Sequence, residues 1–211
     1  MAGEGARFGQ SLPKQFHLLQ GKKVYLQTLE QLASSELFEE IILVTSGTMA
    51  AQVQKEVGPD YRVVSGGRTR QESSYRGLIA CGSNTEIVLI HDGVRPFVSK
   101  RILQENIDTA RVHGAANTCI PSTDTIVHAP GKKKIQSIPP RSEYLRGQTP
   151  QTFSYPLILE AHEKTTTTHA TDDCQLLLEI GCDIPIVQGE EKNMKITVPL
   201  DLELASLQIH N

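Results

Sequence analysis

Several stretches combine residue types that can do chemistry. Ala2-Gly3-Glu4-Gly5-Ala6-Arg7 gathers small residues into one short run, and Lys14 follows it in Leu12-Pro13-Lys14-Gln15. A backbone with few Cβ atoms can turn its N–H groups onto an anion, and here cations stand beside it. Ala2, Gly3, Gly5, Arg7 and Lys14 are therefore expected to form a triphosphate cradle. Gly66-Gly67 precedes Arg70 and Ser73, Asp92 precedes Arg95, and Lys195 lies late in the chain within Asn193-Met194-Lys195-Ile196-Thr197. Cations gathered around one acid suit a polyphosphate accompanied by a divalent ion, because phosphoryl-type transfer is stabilised chiefly by fixed positive charge and in-line positioning.

The glycines fit neither of two common phosphate loops. A Walker loop requires Gly, four residues and then Gly-Lys-Ser/Thr, and the dinucleotide fingerprint requires a third small residue opening a helix within a complete strand-turn-helix unit. Overall charge narrows the choice further. With 21 Lys and Arg against 24 Asp and Glu the formal net charge is −3, which opposes nucleic-acid binding by general phosphate attraction. Any phosphate must be met locally. No apolar run approaches a membrane span and no basic-then-apolar signal opens the chain. The expectation is a cytoplasmic protein, with a plastid location left open for a chain carrying a transit segment. Cys81, Cys119, Cys174 and Cys182 lack Cys-x-x-Cys spacing, so they read as reduced packing residues.

Positioning these groups requires an α/β scaffold. After a turn at Gly21, Leu26, Leu29, Leu32, Ala33 and Leu37 recur with helical period. Continuous apolar runs at 39–46 and 86–92 read as buried strands, and 61–65 as a further strand between them. Helices are expected at about 48–57, 71–81, 99–113, 154–164 and 172–180, with a strand at Ile184–Val187 and a last helix from Pro199. Alternating strand and helix over 211 residues predicts a single doubly wound, mostly parallel domain. In such folds ligands sit at the carboxyl ends of strands, where Gly66, Arg70, Asp92 and Arg95 fall.

Residues 115–152 break the rhythm. Two short β-like runs, Thr125–His128 and Ile135–Ile138, flank Ala129-Pro130-Gly131-Lys132, a good hairpin turn. Two strands alone are marginally stable, so this arm is expected to pack on a second copy of the chain. Lys132, Lys133 and Lys134 read as either a phosphate patch or a solvated tip. A phosphate loop in a doubly wound sheet ordinarily follows a central strand, yet Met1 directly precedes this one. The expectation is a chain shortened at its N-terminus by one strand.

In order, Ala-Gly-x-Gly-x-Arg with Pro-Lys-Gln, Gly-Gly-x-x-Arg-x-x-Ser, His-Asp-x-x-Arg-Pro-Phe, Asp-Thr-Ile, Gln-Thr-Pro-Gln-x-Phe, Thr-Asp-Asp and Asn-x-Lys-Ile-Thr run from residue 2 to the C-terminal region. This series resembles the 2-C-methyl-D-erythritol 4-phosphate cytidylyltransferases of isoprenoid precursor biosynthesis. The resemblance implies a Rossmann-like nucleotidyltransferase fold and transfer of the cytidylyl group of CTP to a polyol phosphate, with magnesium or another divalent cation as cofactor. It implies that Arg7 and Lys14 stabilise the α-phosphorus. Gly66, Gly67, Arg70 and Ser73 would bind the nucleotide. Asp92, Arg95, Thr125, Thr171 and Lys195 would serve the acceptor, with Asp92 also nearest the metal, and Arg141 on the arm would act across a homodimer interface. Bland alternatives stay open for Ser73 as a helix-opening residue, Asp92 as a turn cap, Thr171 as an N-cap and Arg141 as a rim ion pair. Gly93-Val94 departs from the usual Ala-Ala, and Pro139-Pro140 from a more ordinary pair before Arg141. Rival readings are a ribitol 5-phosphate cytidylyltransferase, a CTP-binding protein without turnover and a structural dimer.

Overall fold

A computed structural model describes residues 12–168 and 170–209. Pro13 leads into a 3-10 turn at Lys14–Phe16, followed by a small antiparallel hairpin of β1 (Leu18–Leu19) and β2 (Lys22–Lys23). Its two central residues, Gln20 and Gly21, both have positive φ, 49° and 82°, as a tight hairpin turn with right-handed strand twist requires. Helix α1 (Val24–Ala33) buries Val24, Tyr25, Thr28 and Leu29 along one stripe. Then come β3 (Ile42–Thr45), α2 (Gly47–Val57) and β4 (Arg62–Ser65), with β3 and β4 parallel and in register from Ile42↔Arg62 to Thr45↔Ser65.

The chain continues through α3 (Arg70–Ile79), β5 (Ile87–Ile90) and α4 (Lys100–His113). Ser99 caps α4 by accepting from the Ile102 N–H, and Gly114 ends it in the left-handed conformation with φ 84°. After these come β6 (Ala115–Pro121), β7 (Leu145–Ser154), α5 (Tyr155–Lys164), α6 (Cys174–Glu179), β8 (Ile186–Gln188) and α7 (Pro199–Ile209).

Residues 115–152 differ from the expected excursion. Their two ends form β6 and β7, the long inner strands of a four-stranded sheet of order β5-β7-β6-β8. β7 runs antiparallel to both neighbours, whereas β6 and β8 are parallel, so the sheet is mixed. The reason lies in Gln148-Thr149-Pro150-Gln151-Thr152: its polar side chains mask the strand in a hydropathy pattern, yet they are buried, and Gln148, Thr149 and Gln151 are hydrogen-bonded inside. What remains of the arm is residues 122–144. There the paired strands reduce to one antiparallel bridge, His128↔Ser137, between short 3-10 turns at Pro130–Lys132 and Arg141–Glu143.

Both faces of the larger sheet are covered. Val88, Ala115 and Phe153 pack with Leu78 of α3, Ile158 and Ala161 of α5 and Leu176 and Leu177 of α6. The alternate residues face the other way: Ile87 and Ala116 meet Ala110 of α4, and Leu89 meets Ile102 and Leu103. This alternation across consecutive strand residues is what a doubly wound sheet demands. Among the described residues β3 pairs only with β4, and β5 only with β7.

Candidate active site

Asp92 is the meeting point of two remote segments. It follows β5 and is held in place from β7, since the Asp92 N–H donates to Thr149 Oγ1 at 3.0 Å. Its Oδ2 receives Arg95 Nε at 3.0 Å and Lys195 Nζ also at 3.0 Å. The Lys195 loop is itself pinned to the Asp92 turn: Arg95 Nη1 donates to the Asn193 carbonyl at 2.7 Å, and the Ile196 N–H to the Val94 carbonyl at 2.9 Å. Asn193, fully buried, donates from Nδ2 to the Thr149 carbonyl at 2.8 Å and to Gln148 Oε1 at 3.2 Å. Burial by itself would raise the Asp92 carboxyl, but the Lys195 and Arg95 charges outweigh it and hold the group well below the usual carboxylate range. Asp92 is thus an anion whose two cationic neighbours are preset around it.

His91 lies behind this group. Its Nε2 is 3.1 Å from the Arg95 carbonyl, which can only accept, so Nε2 carries the proton and Nδ1 accepts from Thr149 Oγ1 at 3.1 Å. Burial pushes the imidazole down to about 4, against the Arg95 carbonyl and Asp92, which favour protonation. A neutral ring with both nitrogens engaged packs and orients, and is no free proton acceptor.

A second group forms at the start of α3. Thr69 is the N-cap, its Oγ1 accepting from the Glu72 N–H at 3.0 Å, so the helix-opening role considered for Ser73 belongs to Thr69. Ser73 Oγ instead accepts from the Gly67 N–H at 3.0 Å and donates to the Thr69 carbonyl at 2.8 Å. The N–H groups of the Gly66-Gly67 turn are not left open to a ligand either. The Gly66 N–H donates to the Thr45 carbonyl at 2.6 Å and the Arg68 N–H to Glu72 Oε2 at 2.7 Å, so the turn folds its donors inward. Gly67 matters for space, since a Cβ there would lie 2.2 Å from Glu72 Cδ and 2.5 Å from its Cβ.

Arg70, the first residue of α3, points its Nη2 at Asp173 Oδ2 at 2.6 Å and lies 3.4 Å from Gln151 Oε1. Burial lowers the guanidinium's affinity for its proton, and Asp173 more than restores it, with smaller help from Asp92 and Asp172. Asp92 acts on Arg70, so the two groups share one field. Gln151 in β7 donates to Asp172 Oδ1 at 2.7 Å and to Asn117 Oδ1 at 3.1 Å. Gln148, Thr149, Gln151, Asp172, Asp173 and Asn193 belong to stretches whose motifs are legible in the sequence, yet their roles became visible only once the strand and loops were placed.

The remaining expected residues are dispersed. Thr171 is exposed and is no N-cap, because the Cys174 N–H donates to Asp172 Oδ1 at 2.8 Å. Thr125 is exposed on the arm, and Arg141 donates from Nη1 to the Thr123 carbonyl at 2.7 Å, a bond internal to the arm. Lys14 is half-buried in its 3-10 turn. Ala2, Gly3, Gly5 and Arg7 lie outside the described residues. For a divalent ion, no group of three His, Cys, Asp or Glu side chains converges among the described residues. Both cations on Asp92 occupy Oδ2. Asp92 Oδ1, which carries neither cation, is the carboxylate oxygen here that could meet a hard ion. Among the described residues no helix is long and apolar enough to cross a membrane.

Comparison with known proteins matches this chain to one family. The sequence profile described as 2-C-methyl-D-erythritol 4-phosphate cytidylyltransferase matches residues 1–211. Proteins of that name from Alkaliphilus oremlandii and Syntrophus aciditrophicus are 36% and 37% identical, over 97% and 96% of this chain and 90% of each relative. Among solved structures, the 4-diphosphocytidyl-2C-methyl-D-erythritol synthase of Anaerococcus prevotii superposes with TM-score 0.85 at 30% identity, covering 100% of this chain and 95% of that one. The 2-C-methyl-D-erythritol 4-phosphate cytidylyltransferase of Thermus thermophilus gives 0.82 at 31%, covering 94% of each chain. This chain belongs to the 2-C-methyl-D-erythritol 4-phosphate cytidylyltransferase family.

Proposed function

We propose that the two charged groups divide the family's reaction between them, Arg70 with the Gly66-Gly67 turn serving the nucleotide and Asp92, Arg95 and Lys195 serving the acceptor. The reaction is that of the family: the cytidylyl group of CTP passes to 2-C-methyl-D-erythritol 4-phosphate, giving 4-diphosphocytidyl-2-C-methyl-D-erythritol and pyrophosphate in isoprenoid precursor biosynthesis. An oxygen of the acceptor phosphate attacks the α-phosphorus of CTP, the new P–O bond forms, and the bond to the bridging oxygen of pyrophosphate breaks. That phosphate is already ionised near neutral pH, so positioning and charge neutralisation suffice and no side chain need take a proton.

The observation that carries this reading is the convergence of Arg95 and Lys195 on Asp92 Oδ2, each at 3.0 Å, from segments far apart in sequence. Asp92 holds both cations where an incoming phosphate can exchange for the carboxylate without reorganising the site. Lys195, 39% exposed, is the one placed to follow the acceptor phosphate, while the buried Arg95 stays to shape the turn. Arg7 and Lys14 would neutralise the triphosphate. A divalent ion bound with the nucleotide would supply further charge at the phosphates, with Asp92 its ligand from this chain. Thr171 would complete the acceptor side.

Thr125 and Arg141 are read as serving a second copy. Val127, Ile135, Ile138 and Tyr144 of the arm are all exposed, with Ile135 and Ile138 at 60% and 61%. Covering such side chains favours association, so the arm would embrace a partner protomer and deliver Arg141 to its acceptor phosphate.

The test is pyrophosphate release from CTP and magnesium with either methylerythritol phosphate or ribitol 5-phosphate as acceptor, using the wild type and Lys14→Ala. Release with the first acceptor, lost in the variant, supports the reading. Turnover of ribitol phosphate instead would move the chain to a different acceptor, and CTP binding without release to either acceptor would leave a nucleotide-binding protein.

A further inference from the structure

Beneath the turn assigned above to the nucleotide lies a carboxylate that the reaction does not use. Asp173 is fully buried, with its side chain 0% exposed, whereas its partner Arg70 is 34% exposed. Two groups hold one oxygen of the acid, Arg70 Nη2 at 2.6 Å and Ser74 Oγ at 3.3 Å, while His162 Nε2 lies 3.5 Å from the other oxygen without a hydrogen bond. His162 is stacked on Tyr75, with ring centroids 5.7 Å apart. The Asp173 N–H is 3.3 Å from Gln151 Oε1, the same oxygen that faces Arg70. Gln151 is locked in turn by Asp172, Asn117 and the Cys174 sulfur.

A buried ion pair is a poor source of stability, because desolvation consumes most of the attraction, but it fixes geometry. What it fixes here is the direction of a guanidinium. Nη2 faces Asp173 and Gln151, and Nη1 is buried without a hydrogen-bond partner among the described residues. A buried donor without an acceptor is costly, so its direction marks where an acceptor atom belongs.

We propose that Asp173 is a positioning residue for nucleotide binding: it clamps one edge of the Arg70 guanidinium so that Nη1 is offered to an acceptor oxygen of CTP. This rests on the assignment of Arg70 to the nucleotide side. The fork matters as well as the charge, since a lysine at position 70 can pair with Asp173 but cannot present a second donor nitrogen at a fixed angle. Asp173 reaches the ligand only through Arg70 and makes no contact with the acceptor group around Asp92.

The experiment is a double-mutant cycle of Asp173→Asn and Arg70→Ala, reading KM for CTP and for methylerythritol phosphate separately, with CTP binding by calorimetry and thermal melting alongside. Asp173→Asn should raise KM and Kd for CTP about tenfold, leave KM for the acceptor within about twofold, and add nothing further in the Arg70→Ala background. Equal losses for both substrates, or a full additional loss in that background, would show a general structural role and overturn the proposal. Arg70→Lys covers the case in which Asp173→Asn does not fold: its melting temperature should stay near wild type while CTP affinity falls as in Arg70→Ala, and wild-type affinity overturns the proposal. If Arg70→Ala leaves CTP affinity unchanged, the assignment of Arg70 fails and the clamp with it; if Arg70→Ala weakens CTP and Asp173→Asn does not, the clamp alone fails.

Discussion

Asn193 gives the sharpest test of how the acceptor site is held. Its Nδ2 joins the Thr149 carbonyl and Gln148 Oε1 at 2.8 and 3.2 Å, and the Gln148 amide cannot turn away freely because its Nε2 donates to the Glu190 carbonyl at 2.8 Å. Replacing Asn193 with Ala leaves both acceptors buried without a donor, and with the lost packing this should cost about 2–4 kcal/mol. In a domain of this size each kcal/mol lowers the melting temperature by about 2–4 °C, so a fall of about 5–15 °C is expected. Asn193→Asp keeps the volume but sets a carboxylate against two acceptor oxygens, so it should be less stable than the alanine variant at about pH 8. That carboxyl would hold its proton more tightly folded than unfolded, because only the protonated form can donate. Its folded pKa would be raised, so the proton stabilises the fold at low pH and the benefit fades as pH rises. Differential scanning fluorimetry and urea titrations across pH would measure both. An aspartate variant as stable as the alanine variant at high pH, or a gap to wild type that widens on acidification, would refute the bonding scheme.

Other outcomes follow from the same site. Asp92 is held below its unfolded value, so its contribution is complete above the unfolded pKa near about 4 and is lost as pH falls through the lower folded value; Asp92→Asn should flatten the acid limb of the stability profile in urea titrations. Lys195→Ala should lower kcat/KM by about 10²–10³-fold, the range for removing one fixed charge-stabilising donor, while shifting the melting temperature by less than about 3 °C because the side chain is well exposed. Joint replacement of Ile135 and Ile138 by lysine should shift sedimentation toward the monomer without lowering the melting temperature of the protomer, since both side chains are exposed in it.

Legibility in the sequence followed burial type. The apolar runs of β3 and β5 announced themselves, and so did α2 and α4, whose ends carry Gly58 and Gly114. β7 did not, because its buried stretch is largely Gln and Thr, and polar residues look solvent-facing until their partners are known. For the site, charge and motif order picked out Asp92, Arg95 and Lys195, which the fold brings together. The same reading could not see that the glycine-turn N–H groups would be used internally by Thr45, Ser73 and Glu72, since that depends on how α3 returns over the turn. Nor could it distinguish Asp173 from Thr171: the motif names both, and only burial separates them.

The arm leaves the sheet at Pro121 and re-enters at Leu145, and those two residues are paired across β6 and β7. Whatever lies between them is a closed excursion from a fixed doorway. Because loop-closure entropy grows only slowly with length, residues can be gained or lost there at small thermodynamic cost. A single insertion between Leu145 and Gln148 is another matter: it would turn every later side chain of β7 to the opposite face and carry Gln148, Thr149 and Gln151 out of register with the groups they hold. The chain thus separates what it can vary from what it must keep. The stretch between the two ends can change in length while the geometry of the groups held by β7 stays unchanged.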